Sequence, residues 1–93
     1  MYTVIAHECI FIDEPLEVVY EESFEDWELA DLVAQELAGM ISDVYGRSFA
    51  EVIDNETDEV YSEFHGPYNA DKALDKARIQ QLIENYKKFK GAK

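Results

Sequence analysis

Besides its carboxylates, the chain offers His7, Cys9 and His65 as side chains able to act as a nucleophile or base. His7 and Cys9 alternate along YTVIAHECIFI (2–12), so in a strand they share a side, as a thiol and an activating imidazole would. The plainer reading is that a lone Cys in an apolar strand is a small buried hydrophobe. No Gly-rich phosphate loop, nucleophile elbow or zinc-spaced pair accompanies them, so the chain is expected not to be an enzyme.

The stretch DNETDE (54–59) raises metal binding. Asp54, Glu56 and Asp58 stand at alternate positions, as at the start of a calcium loop. The sixth position is Glu59 instead of the glycine that the bend needs, and the twelfth is His65 instead of a bidentate Glu. A hairpin turn accounts for the same residues, and neither a metal nor a cofactor is expected.

A third pattern has a different chemistry. EESFEDWELADLVAQE (21–36) carries seven carboxylates and no lysine or arginine. Helices usually intersperse the two signs, because like charges four residues apart are destabilising. The spacing predicts a helix from about Glu25 to Tyr45, with Ser23 as the capping residue and Gly46 as the stop. Its apolar face gathers Trp27, Leu29, Ala30, Val33, Ala34, Leu37, Ala38, Met40, Ile41, Val44 and Tyr45. Asp26 alone breaks the division, and as a first-turn acid it suits the helix dipole.

The outer arc presents Glu25, Glu28, Asp31, Glu36 and Asp43 over about 27 Å, at about 1.5 Å of rise per residue. Duplex DNA carries one charge per roughly 1.7 Å of axis, so the arc is sparser but of the same sign. Glu17, Glu21, Glu51, Glu59 and Glu63 on the strands extend it. Asp43, in the predicted last turn, opposes the dipole, which singles it out as a residue kept for something other than folding. Leu32 falls inside the arc between Glu28 and Glu36, where an apolar anchor within a charged ring would concentrate binding energy. Glu25, Glu28, Asp31, Leu32, Glu36 and Asp43 are the candidate partner-binding residues.

The elements that must position this arc can be read from periodicity. Strand-like 2–12 meets the turn signal DEP, and LEVVYEES (16–23) alternates, with Leu16, Val18 and Tyr20 on one face. SFAEVIDNETDEVYSEF (48–64) reads as a second hairpin, and HGPYN (65–69) as a linker with Asn69 available as a cap. A last helix from about Ala70 to Phe89 aligns Ile79, Leu82, Ile83, Tyr86 and Phe89. The order is ββαββα, an α+β domain whose two helices pack on an antiparallel sheet of two hairpins. Residues 1–93 form a single domain, because the chain is long enough for one modest core and no more.

Charge is the outlier, at −13. Met1 to Asp71 holds nineteen acids against Arg47, a balance of −18, and Lys72 to Lys93 holds seven cations against Asp75 and Glu84, a balance of +5. The body should repel nucleic acid and anionic membranes. The basic end, 72–93, is expected to lie against the body and partly neutralise it, with Glu84 and Lys88 pairing along the helix. One cysteine, no run of apolar residues long enough to span a bilayer and no basic leader at the start give the expectation of a soluble cytoplasmic protein.

In the acidic helix 21–36, the hairpin EVIDNETDEV (51–60) and the start at Met1, the chain resembles small phage-encoded inhibitors of the anti-CRISPR and anti-restriction type that mimic nucleic acid. The likeness is one of overall character along the whole chain, and no functional residue is carried over by it. It implies a non-catalytic protein that occupies the basic nucleic-acid channel of a CRISPR effector or other nuclease, in the host cytoplasm. Two other readings fit the residues: a small interaction or assembly domain, homodimeric in one version, and an immunity-type protein that blocks a basic toxin.

Overall fold

The computed structural model describes residues 1–9, 13–41, 47–65 and 74–91. Its elements are β1 (Tyr2–Glu8), β2 (Glu17–Phe24), α1 (Trp27–Ala38), β3 (Phe49–Asp54), β4 (Glu59–His65) and α2 (Lys76–Gly91). The architecture is α+β in the order ββαββα, as the periodicity predicts. All strand pairings are antiparallel and the sheet runs β2-β1-β3-β4, so the two hairpins meet through their first strands.

One face of the sheet presents Val4, Ala6, Tyr20, Phe24, Ala50 and Val52 to the core. Against it α1 turns Ala30, Ala34 and Ala38, spaced four apart on one stripe, while Leu29, Val33 and Leu37 fill the space beside them. Ala6 and Ala50 are direct cross-strand partners beneath the helix. Alanine on both sides lets backbone approach backbone, and α1 lies mainly over β1 and β3. α2 packs on α1 and adds Ile79 and Ile83 to the same core.

Several boundaries differ from the sequence reading. α1 starts two residues later, because Ser23 is still in β2 and Asp26 is the cap: its backbone is extended (φ −98°, ψ 119°) and its side chain accepts from the Glu28 amide at 2.9 Å. The helix ends at Ala38, where Gly39 is the C-cap. Glycine inside a helix costs about 1 kcal/mol relative to alanine, so Gly39 is the cheaper stop. Gly46, Asp43, Val44 and Tyr45 lie outside the described residues, as does Asn69. α2 begins at Lys76, where Asp75 Oδ1 accepts from the Arg78 amide at 3.1 Å.

The alternation expected across 16–20 is broken by a bulge. Ala6 pairs with Tyr20 but His7 pairs with Val18, so Val19 is an extra residue; Tyr20 is buried and Val18 exposed. A matching bulge lies in the other hairpin, where Val52 pairs with Ser62 and Ile53 with Val60, leaving Tyr61 extra. Within DNETDE, residues 55–58 form a four-residue turn with its own bonding. Asp54 Oδ1 accepts from the Glu56 amide (3.0 Å), Asp54 O from the Asp58 amide (2.7 Å), and Thr57 Oγ1 from the Glu59 amide (3.3 Å). Asp58 takes the left-handed conformation (φ 59°) that closes the loop.

The alanine seam makes a direct prediction. Ala34→Leu places a larger side chain where α1 meets the sheet, and overpacking of this kind should cost about 1–3 kcal/mol. Ile83→Ala, which opens a hole instead, should cost about 2–5 kcal/mol. Urea denaturation of both variants measures the losses.

Candidate interaction surface

The acidic arc does have cationic partners, and they come from the other helix. Arg78 on α2 reaches Glu36 (Nη2 to Oε1, 2.6 Å) and Lys90 reaches Glu28 (Nζ to Oε2, 3.9 Å). Glu36 occupies the last turn of α1, where a negative charge opposes the dipole and the chain supplies no local base. Arg78 offsets that opposition from outside. Half-exposed pairs of this kind contribute about 0.2–1 kcal/mol each, so they orient α2 more than they hold it.

A part-buried hydrogen bond ties the same two helices. The Tyr86 hydroxyl donates to Asp26 Oδ2 at 2.8 Å while Asp26 Oδ1 caps α1. The Asp26 carboxyl is held below its usual range, chiefly by the Tyr86 hydrogen bond and further by the Glu28 amide and Lys90. Burial and the bond to Asp26 push the Tyr86 phenol up to about 12. Lys90 also lies 5.7 Å from the Tyr86 ring centroid, closing the corner.

The six candidate binding residues therefore separate. Glu28 and Glu36 are engaged by α2. Glu25, just before the cap, is exposed with no cation in ion-pair range among the described residues. Asp31 is half-buried: its Oδ2 accepts from Gln35 Nε2 at 3.3 Å, and its Oδ1 is shielded from solvent without a hydrogen-bond partner. Leu32 is 42% exposed, and Asp43 lies outside the described residues.

Sequence periodicity assigned Trp27 to the core, yet it is 43% exposed. With the helix starting at Trp27, its indole stands at the rim beside Tyr61 (centroids 5.6 Å apart), which in turn meets Tyr2 edge-on (5.7 Å). The bulge at Tyr61 brings that ring to the helix side, and nothing in local periodicity announces it. Trp27, Glu28, Asp31 and Leu32 line a shallow hollow on α1. Phe89, predicted to lie on the packed face of the last helix, is 77% exposed.

The fold places His7 and His65 on either side of Phe49 in one row across the sheet, with Cys9 just past the end of β1. His7 stacks on Phe49 (4.6 Å, 26°) with Nε2 3.7 Å from Glu51. Cys9 is buried, its amide donating to the buried Ser48 hydroxyl at 2.9 Å. His65 pairs with Glu63 at 3.0 Å on the exposed edge strand. Among the described residues no three His, Cys, Asp or Glu side chains are grouped to hold a metal, and no helix is long and apolar enough to cross a membrane.

The Asp26–Tyr86 link sets a pH dependence. A carboxyl with lowered pKa contributes stability that is complete above about pH 4 and is lost as pH falls through the folded value. A phenol raised to about 12 contributes fully up to about pH 10 and loses its contribution as pH rises to that value. Asp26→Asn, which keeps the cap but not the charge, should therefore flatten the acid limb, and Tyr86→Phe should flatten both limbs. Asp26→Ala should cost about 1 kcal/mol for the cap alone. Thermal melts from acid to strong base test all three. Comparison of the chain with protein families, with curated proteins and with solved structures yields no match.

Proposed function

We propose that the protein is a non-catalytic inhibitor whose acidic surface occupies a basic, nucleic-acid-binding channel of a nuclease or CRISPR effector and excludes nucleic acid from it. The observation that carries the reading is where the charges fall. Two of the five cations of α2, Arg78 and Lys90, turn onto α1 at Glu36 and Glu28. Eight lysines and arginines cannot match twenty-one carboxylates, however they pair. Among the described residues Glu17, Glu21, Glu25, Glu56, Asp58 and Glu59 are exposed with no lysine or arginine in ion-pair range. They lie on both edge strands, on the β3–β4 turn and at the start of α1.

Such a surface attracts lysine- and arginine-lined grooves from a distance and repels phosphate. Its work on a partner is displacement of nucleic acid from cations already arranged to bind phosphates. That demands no reaction and no bound group, only a rigid body carrying negative charge of sufficient density. The sheet and the α1 seam supply the rigidity.

Binding should weaken steeply between about 50 and 200 mM salt, as it does when phosphate contacts are replaced. The direct test adds the protein to CRISPR effectors and restriction endonucleases and measures DNA binding and cleavage together. Loss of both, relieved by excess DNA, is the expected result. A triple Glu25→Gln, Glu56→Gln, Glu59→Gln variant should inhibit about tenfold less well at low salt with unchanged folding. Unaltered DNA binding by every enzyme at low salt would remove the proposal.

A further inference from the structure

The hollow on α1 sets apolar and aromatic groups beside a carboxylate. Trp27 and Leu32 are each exposed by more than two-fifths, and Tyr61, 50% exposed, flanks the indole. A half-exposed tryptophan, tyrosine and leucine thus meet at one edge of α1. Asp31 sits among them with one carboxylate oxygen out of solvent and without a hydrogen-bond donor. The other oxygen has only the long bond from Gln35. Among the described residues no lysine or arginine reaches Asp31, although α2 supplies one to each of its helix neighbours Glu28 and Glu36.

We propose that this hollow receives an arginine side chain of the basic partner protein. The inference rests on the reading of the protein as a binder of basic surfaces, and it names the anchor. A guanidinium is planar, stacks on indole and phenol faces, and donates hydrogen bonds to carboxylates. The hollow offers a partner for each part: the Trp27 ring, the Asp31 Oδ2 that only the long Gln35 bond occupies, and Leu32 for the aliphatic stem. A lysine ammonium is a strongly hydrated point charge and gains less from the same groups. The hollow therefore discriminates between two cations that the surrounding carboxylates cannot tell apart.

Trp27 is the only tryptophan in the chain, so its fluorescence reports this hollow alone. Oligo-arginine and oligo-lysine of equal length serve as probes, titrated at low salt. Oligo-arginine should shift the emission and bind about fivefold more tightly. Asp31→Asn should bring the two peptides close to parity. Glu17→Gln, on the far edge of the sheet, should weaken both equally and leave the ratio intact. Equal affinity for the two peptides, or a preference that survives Asp31→Asn, overturns the arginine site while leaving the acidic-inhibitor reading standing. Binding of neither peptide at low salt overturns both.

Discussion

The seam of alanines between α1 and the central strands is the constraint on which the rest of the molecule depends. Ala30, Ala34 and Ala38 set the helix close over Ala6 and Ala50, and α2 is held by α1 in turn. α1 is thus a middle layer, with the sheet on one side and α2 on another. A helix packed on two sides has a narrow strip left for water, and its charged residues must share that strip. Salt bridges along the strip would need lysines among the same few positions. The chain places cations on the neighbouring helix instead, where Arg78 and Lys90 meet Glu36 and Glu28.

Charge and backbone geometry meet at Asp26. One carboxylate closes the first turn of α1 and accepts the Tyr86 hydroxyl of α2, so the start of one helix is fastened to the last third of the other. Arg78 performs the complementary task at the far end of α1 through Glu36. The dipole of α1 is matched at its N-terminus by its own acid and at its C-terminus by a borrowed base. Opposite ends of α2 make these two contacts, which fixes the antiparallel run of the helices. The basic C-terminal segment is consequently part of the scaffold of the acidic body.

Period-two alternation and the 3.6-residue face made the element order legible, since Val4, Ala6, Val52, Leu29, Val33 and Ile79 must all be buried whatever the details. Boundaries were less legible because competing local signals were close in strength. Ser23 and Asp26 both suit a cap, and the choice went to Asp26 because β1 pairs with β2 as far as Phe24. Gly39 could be read as one more outer-arc residue, and only the helix end shows it to be the stop. At the candidate surface, the exposure of Leu32 followed from helical phase. The pairing of Glu28 and Glu36 depended on how α2 docks, and the meeting of Trp27 with Tyr61 on a bulge. Neither is a property of any window of sequence.

The two bulges carry a consequence for how the molecule meets other proteins. Both extra residues, Val19 and Tyr61, lie in the outermost strands, one at each border of the sheet. A bulge twists a border strand and interrupts its row of free amides and carbonyls, and glutamates line both borders here. Both features disfavour extension of the sheet by a further strand. Tyr61 shows two effects combined. The same irregularity that denies the backbone of β4 to a new strand turns an aromatic ring toward Trp27, so a defect in pairing becomes part of a surface.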